Sequence, residues 1–531
     1  MTIYRILICT ILLLLIYFFI DIKDVKSQTT SLVYSEFSQT GNLNPYENKT
    51  IRNEDARLMV LMYEGLFRYD YNVQEYKSVL AESIDQLSGN RFQVIIKSDV
   101  YWHDGIRLTA EDIKFTYDYI RQESKTETVK NMIQKDIQDI SVQNESVLIF
   151  TLSEWVIADP MSIFTEWILP KHLMEGSRER REFSRSPIGT GPFKFQSRNI
   201  SGNIELIRNN NYHGKLPEIE SVKLEITADY DTATLRLLGR VTDMLVDVPS
   251  DRLESITRSP THRIEPYQSY GINVIGFNFK NSFLNDRNVR EAMLVGFDRK
   301  SALQQWFENK GSILGGPFTP NAPYFNPNVK PRTFSVNSAK QILQNAGYTD
   351  RNGDKYLQSS DGTTLEFDLL YNAEIGDAGR GLQNVVLQFQ TQMRDIGIKI
   401  NLQSEIKDRY DEKLMFAKDF DLALIGWNFD PTYDISQLFH SSNIFPGGTN
   451  VISYRNQQVD NLFDQHLSSF NNVDRLDYMY AIQNILAEDI PYLFMFTLDR
   501  NAAIDYRFIN TNIDPLNFFT FIKDWEFIEG L

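Results

Sequence analysis

Ser186-Pro187-Ile188-Gly189-Thr190-Gly191-Pro192-Phe193-Lys194-Phe195 is the stretch on which the fold turns. Proline fixes φ and glycine permits positive φ, so Pro187, Gly189, Gly191 and Pro192 together specify a nearly rigid turn. Phe193-Lys194-Phe195 then alternates as a strand leaving that turn does. Three readings are open: a plain change of chain direction, a phosphate cradle, or a junction where the chain returns from an inserted unit. The phosphate reading fails on chemistry. Pro192 follows where a helix should start, it lacks an N–H donor, and no Gly-Lys-Ser/Thr closes the loop.

Outward from the motif, the chain reads as alternating strands and helices, which indicates α/β architecture. Upstream, Ser31–Ser35 is a strand and Asn53–Leu66 a helix that Asn53 could cap. Phe67–Tyr71, Arg91–Ile96 and Val147–Leu152 are strands. Thr109 is the N-cap of a helix with Glu111 and Asp112 in its first turn. Downstream, strands are expected at 202–209, 221–226, 244–248, 365–371, 398–402, 420–426 and 491–497. Helices are expected at 231–239, 286–296, 298–307, 335–346, 382–396, 458–468 and 474–489. Tyr270–Asn278 is extended and interrupted by glycine, as a crossing between domains would be. No repeat or low-complexity linker separates the blocks, so the domains are expected to be interwoven.

A chain of 531 residues is too long for one core. A net charge of −16 opposes a polyanion partner, and no uninterrupted Lys/Arg cluster offers a nucleic-acid face. Arg5 followed by the apolar run Ile6–Ile20 reads as an export signal or an N-terminal membrane anchor, with a cleavage site expected after Ser27. The only cysteine, Cys9, lies inside that run. The exported part then has no disulfide, no thiolate metal site and no Cys nucleophile.

Most catalytic patterns are missing. The six histidines include no pair spaced three or four apart, so no helix face presents a zinc pair. His440 and His466 are expected to be solvent-facing or satisfied. No Gly-x-Ser-x-Gly elbow or Ser-x-x-Lys motif occurs. Asp350, Asn352, Asp354 and Asp361 fit positions of a calcium loop, but Lys355 stands where the loop needs glycine, so a polar hairpin turn is expected. No acid pair stands out for glycosidase work.

Several segments, in order, resemble the extracellular solute-binding proteins of family 5, the peptide- and nickel-binding components of ABC importers. They are Val100-Tyr101-Trp102-His103-Asp104-Gly105 with Leu108–Ile113, then Pro187–Phe193, Phe277-Asn278 and Val289–Met293. Phe297-Asp298-Arg299, Asn337–Tyr348, Asp421–Trp427 and Asp489-Ile490-Pro491 complete the set.

The resemblance implies a two-lobe periplasmic-binding-protein fold (type II, cluster C-like) with an extra subdomain inserted in lobe I. The expected bounds are a leader or anchor at 1–27, lobe I at 28–66, 185–269 and 491–531, the subdomain at 67–184, and lobe II at 270–490. It further implies a non-catalytic receptor without cofactor or metal. Such a receptor is an exported periplasmic monomer that captures peptides between the lobes and delivers them to ABC permease subunits in the inner membrane. The same fold binding a nickel chelate, haem or a sugar, a secreted hydrolase, and a membrane-anchored sensor are the alternatives.

In peptide-binding relatives the aspartate three residues after the Gly-Trp tryptophan holds the ligand ammonium, which here is Asp430 after Gly426-Trp427. Tyr270 and Asn273 at the crossing, and Gly41 and Asn42 in the first loop, are further lining candidates. Some relatives place arginines before that tryptophan to hold the peptide carboxylate. Met415–Ile425 contains Lys418 but no arginine, leaving Arg409 and Lys413 as the nearest substitutes.

Overall fold

A computed structural model describes residues 30–49, 51–73, 75–153, 160–249, 252–373, 379–429, 433–515 and 517–529. The expected leader and Asp430 lie outside the described residues. Among these residues no helix is long and apolar enough to cross a membrane.

Two large sheets organise the molecule. The first has seven strands in the spatial order His262–Tyr267, Arg500–Asp505, Met244–Leu245, Ser31–Glu36, Ser221–Ile226, Ile204–Arg208 and Phe193–Arg198. Ser31–Glu36 sits at its centre, parallel to the strands on either side. The second has six strands in the order Gly311–Ile313, Tyr492–Leu498, Gly271–Phe277, Leu422–Asn428, Glu366–Asn372 and Lys399–Glu405. Its parallel members are joined by the helix Gly379–Asp395, whose buried Val385, Val386, Phe389 and Met393 face the sheet core. A four-stranded antiparallel sheet, in the order Ala81–Ser88, Arg91–Ile96, Val147–Leu152, Ile137–Asn144, lies within the segment expected to be inserted. Its Phe92, Leu148 and Phe150 share one hydrophobic cluster with Leu32 and Tyr34 of the first sheet.

The diagnostic motifs meet in space. Gly189 and Gly191 do not adopt positive φ, so conformational freedom is not why glycine stands there. Close approach is the reason: a Cβ at Gly189 would lie 1.9 Å from the Met62 carbonyl oxygen, and one at Gly191 would lie 2.6 Å from that of Leu61. The helix Asn53–Met62 stops four residues short of the expected Leu66, with Tyr63 already extended, and Gly191 N–H caps the Met62 carbonyl at 2.9 Å. Its N-cap is Arg52 rather than Asn53, and no side chain caps that end.

His103 then fastens the two motifs. Its Nδ1 accepts from Gly189 N–H at 3.1 Å, its Nε2 donates to Gly191 O at 3.0 Å, and its own N–H donates to Gly189 O at 2.9 Å. This pattern requires the neutral ring, and burial holds its pKa down at about 4. Thr109 begins the helix Ala110–Glu123 as expected, with the Asp112 carboxylate accepting from Thr109 N–H at 2.9 Å and Oγ1 at 3.0 Å.

The chain passes between the two large sheets twice, side by side. His262–Tyr267 pairs with Arg500–Asp505 in the first sheet, and Gly271–Phe277 pairs with Tyr492–Leu498 in the second. Only Gln268, Ser269 and Tyr270 connect the sheets in one passage, and only Asp499 in the other. The expected crossing strand therefore belongs wholly to the second sheet. The return expected from 491 starts at Arg500, because the run Tyr492–Thr497 is buried and fits an interior strand of the second sheet.

Candidate functional site

The passage between the sheets gathers four of the expected residues. Register places Gly271 opposite Asn428, Ile272 opposite Trp427 and Asn273 opposite Gly426, with Tyr270 one residue before the strand. Gly426 is exposed, and a Cβ there would meet nothing nearer than Asn273 Oδ1 at 3.9 Å. The absence of a side chain therefore serves no internal packing. The Leu422–Asn428 strand pairs with Glu366–Asn372 only at Leu422 and Ala423. Beyond Ala423 it has a strand partner on one side only among the described residues. Leu424 O accepts from Tyr410 Oη at 2.7 Å, and the short backbone edge from Ile425 to Asn428 has no second strand beside it among the described residues.

Aromatic rings surround this edge. Tyr270 lies 4.9 Å from Tyr71 and 5.9 Å from Tyr433, and Tyr433 stacks on Phe429 at 4.3 Å and on Phe318 at 4.9 Å. Tyr433 is buried and left-handed, with φ of 49°, an uncommon conformation for a bulky residue. Its hydroxyl accepts from Thr319 N–H at 3.2 Å, fixing the ring from behind.

Beside Tyr71 opens a cleft of about 240 Å³ walled largely by Tyr46, Tyr63, Phe67, Tyr69, Trp167 and Phe519. Its carboxylates are Glu64, Glu166 and Asp514, and its cations Arg68 and Lys523. Glu64 accepts from Tyr212 Oη at 2.6 Å, His213 Nε2 at 2.8 Å and Thr190 Oγ1 at 2.9 Å, so it ties the turn motif to the cleft wall. Burial raises the Tyr71 phenol well above its usual range, and its hydroxyl is buried with no hydrogen-bond partner.

Gly41 and Asn42 lie elsewhere. Gly41 N–H donates to Asp55 Oδ1 at 2.9 Å, Asn42 N–H donates to Asn48 Oδ1 at 3.2 Å, and Asn48 Nδ2 donates to Asn42 O at 2.7 Å. Their loop is folded on itself, and neither residue lines the cleft. The substitutes for a missing arginine are also occupied: Arg409 and Lys413 both pair with Glu405, at 3.4 and 2.6 Å, and Lys418 Nζ donates to Asn450 O at 2.9 Å.

The polar turn at Asp350 is self-contained, its carboxylate accepting from Gly353 and Lys355 N–H at 2.7 and 3.0 Å. No group of three or more His, Cys, Asp or Glu among the described residues is placed to hold a metal. His466 is satisfied as expected, between Arg475 O at 3.1 Å and Arg475 Nη2 at 3.1 Å.

A family model described as bacterial extracellular solute-binding proteins, family 5 (middle), matches residues 75–445. The chain belongs to this family. Among curated relatives of the family 5 solute-binding proteins, it is 27% identical over 502 residues to the oligopeptide-binding protein AppA of Bacillus subtilis (strain 168), covering 90% of this chain and 89% of that one. The structure of AppA from Bacillus subtilis in complex with a nonapeptide superposes with a TM-score of 0.69 at 25% identity, covering 94% of this chain and 99% of that one. The structure of NikZ from Campylobacter jejuni in complex with Ni(L-His) has the same fold, with a TM-score of 0.73 at 22% identity over 94% of this chain and 99% of that one. The expected family and its two-lobe α/β fold are both borne out.

Sequence reasoning did not point to Tyr71, Tyr433 or Arg68, the first two of which lie beside Tyr270 and the last of which lines the cleft. The alternation Arg68-Tyr69-Asp70-Tyr71 marks a strand with one aromatic face, but only the fold brings that face to Tyr270.

Proposed function

We propose that this family 5 solute-binding protein captures peptides between its two lobes and hands them to an ABC permease. The observation that carries this reading is the backbone edge from Ile425 to Asn428, which has a strand on one side only among the described residues and carries exposed, side-chain-free Gly426. An extended peptide added to such an edge is held by main-chain hydrogen bonds that every peptide offers, while its side chains enter the aromatic cleft. The curated relative AppA carries an oligopeptide-binding name, in keeping with that chemistry.

Within this reading Asp430 holds the peptide ammonium, and Trp427, Asn273 and Tyr270 line the site around it. Residues 271–498 form one lobe. The seven-stranded and four-stranded sheets form the other, and the lobes rotate about the passages at 268–270 and 499. The protein acts as an exported monomer, with Met1–Ile20 as leader or tether, and it performs no chemistry on its ligand.

Mass spectrometry of small molecules released on denaturing the natively purified protein tests the assignment. Peptides are expected, and a nickel chelate in their place would reverse it. A peptide pool should raise the melting temperature and be recovered intact, whereas released fragments would make the protein a hydrolase. Asp430→Ala should weaken peptide binding by about 2–5 kcal/mol, as truncating one partner of a buried charge pair does. Unchanged calorimetric affinity would remove Asp430 from the site.

A further inference from the structure

The cleft contains one guanidinium that forms no ion pair among the described residues. Arg68 is the second residue of the strand Phe67–Asp70 and lines the aromatic cleft. Among the described residues its Nη1 donates to Thr520 O, at 3.5 Å, the far limit of a hydrogen bond. Its Nε is buried with no hydrogen-bond partner. Among the described residues, no Asp or Glu oxygen lies within 4.0 Å of it. The other cation of the cleft, Lys523, is neutralised by Asp524 at 2.7 Å.

Arg68 is nevertheless held in place. Its Cζ lies 5.2 Å from the centre of the Phe521 ring, a cation–π contact that fixes the guanidinium without using its donors. A planar guanidinium held over a ring, with one weak hydrogen bond and no carboxylate paired to it among the described residues, suits charge-assisted hydrogen bonds to a carboxylate. The substitutes expected from the sequence, Arg409 and Lys413, are spent on Glu405.

We propose that Arg68 is the anion-recognition residue of the ligand site and takes a carboxylate of the bound peptide. The inference rests on the peptide reading given above. It makes the first lobe a contributor to end or side-chain selection, while the free edge of the second lobe reads the backbone. The carboxylate comes either from the peptide C-terminus or from an acidic side chain.

The test offers short mixed-sequence peptide libraries to the full chain, and affinity-selection mass spectrometry reads what is retained. One library lacks Asp and Glu and ends in a free acid. A second has the same composition but ends in an amide. A third is amidated and contains Asp and Glu. The native protein should retain carboxylate-bearing members about ten-fold or more over the acid-free amides. Preference for the first library identifies the C-terminus, and preference for the third identifies a side chain.

Arg68→Gln and Arg68→Met should abolish the preference while still retaining peptides, and Arg68→Lys should restore part of it. Equal retention of all three libraries by the native protein would overturn the proposal. So would a preference undiminished in a variant that still binds peptides. Retention of none would instead overturn the peptide reading on which it rests.

Discussion

Acid should loosen the first lobe through His103, and the effect can be isolated. In the folded protein the ring is neutral, with Nδ1 accepting from Gly189 N–H and Nε2 donating to Gly191 O, and burial lowers its pKa from 6.5 to about 4. The unfolded chain therefore binds a proton that the native state refuses, and stability falls as pH drops from about 6.5 towards about 4. The full loss is about 3 kcal/mol, of which about 1.4 kcal/mol is reached one pH unit below the unfolded value. Replacing the ring by His103→Leu removes this titration. It leaves Gly189 N–H without its acceptor, while Gly191 O keeps Asn209 Nδ2 at 3.2 Å. One orphaned buried donor costs about 1–3 kcal/mol. In urea unfolding followed by tryptophan fluorescence, the variant should be less stable than the native chain by that amount at neutral pH. At about pH 5.5 the gap should shrink by roughly 1.4 kcal/mol, because only the native chain loses stability there. A gap of equal size at both pH values would refute the neutral, buried clamp.

Three further outcomes follow from the geometry. Gly189→Ala forces a Cβ to within 1.9 Å of the Met62 carbonyl, and a fall in denaturation midpoint equivalent to about 1–3 kcal/mol is expected from the resulting backbone shift. Arg57→Ala leaves the Glu36 carboxylate buried without its 2.6 Å partner, and the same assay should show a loss of about 3–5 kcal/mol. Phe470, between the helices Gln457–Ser468 and Asn472–Asp489, lies 6.2 Å ring to ring from Phe92 of the four-stranded sheet. Phe470→Ala should remove about 0.5–1.5 kcal/mol of contact between the lobes and enlarge the radius of gyration in small-angle scattering. An unchanged scattering profile would show that this contact does not hold the lobes together.

Much of the fold was legible because its markers are local. The helix starts at Thr109 and Asp298 depend on capping residue types that act within a few positions. The Gly189–Gly191 turn was legible as a turn, whereas its need for glycine comes from the distant Met62 and Leu61 carbonyls. The strands Ala81–Ser88 and Ile137–Asn144 escaped notice because they are largely polar, with most of their residues outside the core. His262–Tyr267 was hidden by Pro266, which an edge strand tolerates, and this strand is at the sheet edge. At the site, the Gly426-Trp427 dipeptide drew attention by its chemistry, and Tyr270 and Asn273 by their position at the crossing. Arg68 could not be singled out, because what sets it apart is that no carboxylate among the described residues pairs with it, a property of tertiary structure alone. Gly41 and Asn42 looked like lining residues because a turn-rich loop near a strand end reads that way, yet that loop spends its polar groups on itself.

The paired passages between the sheets also govern the order in which the protein can assemble. Tyr492–Leu498 lies between two strands of the second sheet, and Arg500–Asp505 lies between two strands of the first. One short stretch near the C-terminus therefore supplies an interior strand to both lobes. A nascent or clipped chain ending before Tyr492 has a gap in each sheet, so neither lobe closes its core ahead of the other. Completion of the two lobes is thereby a single late event, and a truncated chain has no route to half of a working cleft.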